Sequence, residues 1–285
     1  MPFNPEKMIK IVSLLENTTV SSACKAKHGL SLYIETAKHK ILFDLGPNGL
    51  FLQNAEALGI DVKSVDAVIL SHGHVDHGGG LGRFLQTNEK AKIYLRPQAT
   101  DKHFVKVLGL PFFCGINADL VKGDRFVFTD ELTVVDDEIT LFSNVKKTFP
   151  LPKADDKLLA KTSQKTRADD FCHEQNLILT VDGKTTLVCG CAHAGIANIL
   201  NGAKRLIGRY PDTVIGGFHL YEPASKKYES KEYIDSVANE LLKSGSVFFT
   251  CHCTGIKAYE IMKRSLNSDL SYLHTGDSVV LYEND

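Results

Sequence analysis

The chain lacks any apolar run approaching the ~20 residues of a membrane-spanning helix, so a transmembrane role is not expected. It also lacks an excess of charge of one sign. Its 33 basic residues nearly balance 34 acidic ones, and no global field points to nucleic acid or a membrane surface. The expected partner is a small molecule. Low-complexity tracts, Pro- or Ser-rich linkers and short fixed-period repeats are missing, which argues against disordered and solenoid architectures. The opening Met1-Pro-Phe-Asn-Pro-Glu-Lys7 has none of the charged-then-apolar order of a secretory signal. Seven cysteines, an odd number in 285 residues, do not resemble a disulfide framework. A cytoplasmic protein with mostly free thiols is expected.

What is present is a dense group of metal-ligand types. His72, His74, Asp76 and His77 stand in Ser71-His-Gly-His-Val-Asp-His-Gly-Gly-Gly80, directly after the apolar run Val65 to Leu70. Four such side chains within six residues are costly to bury unless they are paired or coordinated. A divalent cation removes that cost, and imidazole with carboxylate suits zinc, iron or manganese. The His-x-His spacing projects two side chains the same way from an extended turn, leaving Asp76 and His77 for a second ion.

Periodicity orders the rest. Strands are predicted at Ile9 to Leu15, Leu30 to Thr36, Lys40 to Leu45, Val65 to Leu70 and Lys92 to Leu95, with weaker ones at Arg125 to Phe128, Leu132 to Val135 and Ile139 to Phe142. Helical spacing marks Phe51 to Leu58 and Leu81 to Leu85. A hairpin at Asn176 to Cys189 is followed by helices over Ala197 to Arg209, Lys231 to Lys243 and Lys257 to Leu266, alternating with strands at Thr213 to Ile215 and Val247 to Thr250. Two sheets, each covered by helices on its outer face, give an α/β sandwich of four layers. One domain over residues 1–285 is expected, with an insertion at about 143–175 covering the cleft.

Further ligands are needed to close a metal shell, and the second half offers them at strand ends. His193 in Gly190-Cys-Ala-His-Ala-Gly195 follows one strand, and His252 in Cys251-His-Cys-Thr-Gly255 follows another. His219, after Gly216-Gly-Phe218, is either a ligand or a substrate contact. Glu174 is a further oxygen candidate ahead of the hairpin. The pairs Cys189/Cys191 and Cys251/Cys253 lie beside these histidines. Their spacing argues against a zinc ribbon, and Cys191 is the strongest candidate among them for a role at the centre. His28, His39, His103, His173 and His274 lack the strand-end Gly context and read as ordinary. Asp44, ending a buried strand in Phe43-Asp-Leu-Gly46, fits either a turn cap or an acid that orients metal-bound groups.

Ser71-His-Gly-His-Val-Asp-His77, Phe43-Asp-Leu-Gly46 and the paired α/β halves resemble the metallo-β-lactamase superfamily. Leu15-Glu-Asn-Thr18, Gly78-Gly-Gly80, Gly190-Cys-Ala-His-Ala-Gly195, Gly216-Gly-Phe-His-Leu220 and His252-Cys-Thr-Gly255 look like its subgroup of metal-dependent hydrolases, which also includes an archaeal pterin-phosphate synthase. The resemblance implies a four-layer αβ/βα sandwich of the metallo-β-lactamase type. It implies one or two divalent transition-metal ions, zinc first with iron or manganese as alternatives, on His72, His74, Asp76, His77 and His252, with Asp44 orienting. Where common relatives carry Gly-His-Thr-x-Gly, this chain has Phe171-Cys-His-Glu-Gln-Asn176, so His193 is expected to supply the third histidine and Cys191 to support it. The implied reaction is hydrolysis by a metal-activated water, with Asp76 aligning the water and His219 or His193 donating a proton. Lys153, Lys157, Lys161, Lys165 and Arg167, in the polar stretch Pro150 to Asp170, would favour an anionic ester or phosphate. A pterin-phosphate-type synthase on the same site and a non-hydrolytic iron- or zinc-binding redox module are the alternatives.

Overall fold

The structure is a computed structural model that describes residues 7–161 and 165–282. Met1 to Glu6, most of the opening segment read above, and residues 162–164 of the polar stretch lie outside the described residues.

Alternation within the strands builds the layers. In Ile9–Leu15, Ile9 and Ile11 face one side while Val12 and Leu14 face the other. The same split separates Leu32 and Ile34 from Tyr33, and Leu177 and Leu179 from Ile178. Strands buried on both faces need cover on both. The first sheet has the order Ser278–Leu281, Ile9–Leu15, Ser31–Glu35, Lys40–Phe43, Ala67–Ile69, Lys92–Leu95, Phe126–Phe128. The second runs Leu270–Tyr272, Val247–Thr250, Thr213–Gly216, Lys184–Val188, Gln175–Val181, Ile139–Ser143, Leu132–Val134. Ile9, Ile11, Ile41, Phe43, Leu177 and Leu179 form the layer between them. Each such side chain contributes roughly 1.5–3 kcal/mol when fully buried.

Helices close the outer faces. Ile196–Ile207 buries Ile196, Ile199, Leu200 and Ala203, one stripe at helical spacing, and ends at Gly208 with φ 78°. Lys231–Leu242 starts on Ser230, whose hydroxyl accepts the Tyr233 N–H, and buries Ile234, Val237, Ala238 and Leu241. On the other side Phe51 of Leu50–Ala57 and Phe84 of Leu81–Thr87 pack against Val12, Leu14 and Val68. The result is the four-layer αβ/βα sandwich of the metallo-β-lactamase type. Among the described residues no helix is long and apolar enough to cross a membrane.

A four-stranded sheet was not expected. Lys102–Val107 and Leu110–Phe113 form a hairpin, and Leu158–Lys161 with Thr166–Ala168 extends it in the order Thr166–Ala168, Leu158–Lys161, Lys102–Val107, Leu110–Phe113. Pro111 interrupts one run, and Leu158–Lys161 and Thr166–Ala168 are too short to show alternation.

The parallel strand pairs position the site. Lys40–Phe43 runs parallel to Ala67–Ile69, and Thr213–Gly216 runs parallel to both Lys184–Val188 and Val247–Thr250. Asp44, the Ser71 to His77 loop, Cys191 to His193, His219 and His252 all follow the carboxyl ends of these strands.

Candidate metal centre

Close backbone approach is what allows the loops to converge. A Cβ on Gly73, between the first two histidines, would lie 2.5 Å from the Ala99 carbonyl oxygen. One on Gly190 would lie 2.2 Å from Ser71 Oγ. The absence of a side chain at Gly190 lets the two halves of the chain touch. Asp44, Ala192, His219 and His252 have φ of 62°, 58°, 50° and 51°. Such left-handed non-glycine residues cost on the order of 1–3 kcal/mol each and concentrate at functional sites.

Hydrogen bonding fixes the tautomers. Ser71 Oγ donates to Asp44 Oδ2 at 2.7 Å, so it accepts from His72 Nδ1 at 2.8 Å. His77 Nδ1 lies 2.6 Å from Asp44 Oδ2, His193 Nδ1 2.7 Å from Asp155 Oδ1, and His252 Nδ1 2.9 Å from Asn17 Oδ1. In each ring the outer nitrogen donates to an oxygen, which leaves Nε2 with its lone pair turned inward. His72, His74 and His193 have buried Nε2 atoms with no hydrogen-bond partner. Orphaned acceptors of this kind fit a cation.

Two sets of donors result. His72 and His74 lie with Asp76, and His72 lies also with Cys191 and His193. Asp76, His77, Cys191 and His252 form the second set. Cys191, expected behind the ligands, stands among them, its Sγ 3.1 Å from His77 Nε2. Asp76 Oδ2 lies 3.4 Å from His252 Nε2 and 3.6 Å from His77 Nε2. Asp44 accepts the Ser71 N–H as well as the Ser71 and His77 side chains, so it ties the start of the loop to the His77 ring.

Burial and neighbouring imidazoles hold His72 and His74 well below the usual histidine range, in the neutral form a ligand needs. Burial would raise the Asp76 carboxyl, but His77, His252 and His28 together hold it well below its usual value. His219 goes the other way. Although burial opposes charge, Asp155, 3.1 Å from His219 Nε2, raises it well above the ordinary value.

Other expectations need correction. Glu174 is not in either set: both its oxygens accept backbone N–H groups, from His193 at 2.6 Å and Ala194 at 2.9 Å, and it holds the loop. Of the five cations in the polar stretch, Lys157 lines the cavity above the centre, and it pairs with Glu222. Lys153, Lys161 and Lys165 are exposed, and Arg167 pairs with Asp170. His28, taken as ordinary, lies 3.2 Å from Asp76 Oδ2 and lines the cavity. His103 and His173, also taken as ordinary, lie 2.9 and 3.2 Å from Asp169 Oδ2, itself 3.9 Å from His74 Nε2. That cluster has metal-like spacing but the wrong tautomer. His173 Nδ1 accepts the Gly73 N–H, so its Nε2 carries the proton given to Asp169. His39 and His274 remain away from the centre, bonded to Asp66 and Thr18. Cys189 and Cys251 are core hydrophobes, whereas Cys253 lines the cavity with Cys191. All seven cysteines are free.

The two helix-covered sheets and a histidine–aspartate cluster that could hold a metal ion are those of a metallo-β-lactamase-type protein. The family model described as the metallo-β-lactamase superfamily matches residues 25–105. A 7,8-dihydropterin-6-methyl-4-(β-D-ribofuranosyl)-aminobenzene-5′-phosphate synthase from Methanocaldococcus jannaschii is 30% identical, over 94% of this chain and 95% of that protein. The crystal structure of Tm1679, described as a metal-dependent hydrolase of the β-lactamase superfamily, has 25% identity and a TM-score of 0.82, covering 96% of this chain and 100% of that one. The Bacillus subtilis protein YhfI, at 12% identity and a TM-score of 0.58 over 96% of this chain and 99% of that one, shares the fold. The chain belongs to the metallo-β-lactamase superfamily.

Proposed function

We propose that the protein is a metal-dependent hydrolase of a small, anionic ester or phosphate, with His72, His74 and His193 holding one divalent transition-metal ion and Asp76, His77, Cys191 and His252 a second. The observation that carries this is the set of inward Nε2 atoms fixed by outer hydrogen bonds. Zinc is the first choice for such donors, with iron or manganese next. Ions bound there supply Lewis acidity and a water pKa lowered toward ~7. Asp76, on the cavity wall, accepts a hydrogen bond from the attacking water and aligns it. His219, also on the wall and kept protonated by Asp155, donates to the departing oxygen. Lys157 meets the anionic part of the substrate when Glu222 releases it.

A second reading has a specific observation behind it, the 30% identity to the archaeal synthase over nearly the full length of both chains. In that reading a carbon nucleophile takes the place of water while the same residues hold the departing diphosphate. Incubation with phosphodiesters, lactones, thioesters and pterin phosphates, with and without an arylamine phosphate acceptor, separates the two. Water-dependent release of alcohol or phosphate supports the hydrolase; acceptor-dependent coupling with no turnover in its absence replaces it with the synthase.

Metal content is the more basic check. Elemental analysis after metal-supplemented expression is expected to find between one and two equivalents of a transition metal, and less than about half an equivalent would sink the centre. The cobalt form should show a thiolate charge-transfer band in the near ultraviolet that disappears in Cys191→Ser. A cobalt form without that band would remove Cys191 from the donors.

A further inference from the structure

Pro150 to Lys161 lies over the centre and is anchored at both ends. Ala154 N–H donates to Glu229 Oε1 at 2.8 Å, and Leu158–Lys161 pairs with Lys102–Val107. Between these anchors Lys153–Lys157 makes a single tight turn that directs Asp155 inward, where it is 9% exposed. Asp155 Oδ1 accepts from His193 Nδ1 at 2.7 Å and lies 3.1 Å from His219 Nε2. The two rings, from loops after different strands, are 4.3 Å apart. Phe171 stacks on His193, at 4.3 Å and 4°. His193 therefore has two constraints, a ring on its face and a carboxylate on its outer nitrogen. His219 has no ring stacked flat on it; its polar neighbours are the Asp155 carboxylate and Cys253.

We infer that Asp155 is a positioning residue that sets both rings at once: through His193 it acts on the first metal set, and through His219 on proton delivery to the substrate. This rests on the metal-centre reading above and makes the covering stretch a working part of the site. An acid holding the outer nitrogen of a ligating histidine fixes its tautomer and raises its basicity, and loss of such a partner typically weakens metal binding 10–100-fold. One oxygen serving two imidazoles also ties the geometry of one ring to that of the other, so a single substitution should disturb binding and turnover together.

The test compares Asp155→Ala and Asp155→Asn with Asp156→Ala, an exposed neighbour that touches neither histidine. Long-range proton–nitrogen NMR of the metal-stripped full chain reads the His193 tautomer directly and needs neither metal nor substrate. The parent and Asp156→Ala should show His193 protonated at Nδ1. Asp155→Ala should lose that single form, bind zinc at least tenfold more weakly in a chelator competition, and lower kcat with less change in KM. Asp155→Asn keeps an acceptor oxygen and should restore the tautomer and part of the zinc affinity. If Asp155→Ala fails to fold, the Asn variant carries the test: zinc affinity and kcat both unchanged there would overturn the proposal. So would an Asp155→Ala protein with His193 still fixed and zinc affinity within twofold of the parent. A parent that binds no metal but shows the Asp155-dependent tautomer would overturn the hydrolase reading while leaving the positioning role standing.

Discussion

His74→Ala is expected to lower kcat/KM by at least 10³-fold, about 4 kcal/mol of transition-state stabilisation, while the protein still folds. The two effects separate because the stabilising layers do not pass through the ring. The inter-sheet layer is built from residues such as Ile11, Phe43 and Leu177, and the outer layers from residues such as Phe84 and Ile199. His74 instead caps the short turn Val75–Gly78 and faces the donor set with an unpartnered Nε2. Removing it costs one ligand and leaves a small space beside His72 and His193, whose rings lie 4.6 and 5.1 Å away. Thermal melting beside turnover on any substrate the parent accepts provides the check. Full activity in the variant would remove this loop from catalysis. Collapse of the fold together with loss of metal would make the ion structural.

The layers were legible because alternation in the strands and 3.6-residue spacing in the helices are local signals. Predicted helices at Ala197 to Arg209 and Lys231 to Lys243 match the observed Ile196–Ile207 and Lys231–Leu242 to within two residues. The histidines at strand ends were legible for a related reason, since a strand carrying a Gly-flanked ligand delivers it to the sheet edge. What could not be read was pairing at a distance. Asp155 and Asp169 sit in a stretch whose many charges look solvated, yet the four-stranded sheet turns both inward to meet His193, His219, His103 and His173. Lys157 shows the converse, a cation on the cavity wall paired with Glu222 rather than left free for a substrate. The sharing of Cys191 between the two donor sets likewise depends on how closely Gly190 lies against Ser71, a contact between halves of the chain more than a hundred residues apart.

Asp169→Ala is expected to be the most destabilising single change near the site, by about 3–5 kcal/mol, because it removes the shared acceptor of three buried donors. The carboxylate side chain is fully buried, accepts the Phe171 N–H at Oδ1 and faces His103 and His173 at Oδ2. These donors outweigh the effect of burial and hold Asp169 far below the ordinary carboxylate range. The sign of the pH dependence follows. Unfolded, the group titrates near 4. A carboxyl with a lowered folded-state pKa contributes stability that is complete above that value and is lost as pH falls through the folded-state value. The parent should therefore show no slope from this group between pH 7 and 5 and a steepening loss below about 4. Asp169→Asn, uncharged throughout, should start from lower stability at neutral pH and lose less on acidification. Because His173 also accepts the Gly73 N–H beside His74, loosening this cluster should weaken zinc binding as well as stability. Urea denaturation at pH 7, 5 and 3 together with a chelator competition measures both. An Asp169→Ala protein within 1 kcal/mol of the parent and with unchanged zinc affinity would show that the cluster neither stabilises the fold nor supports the metal loop.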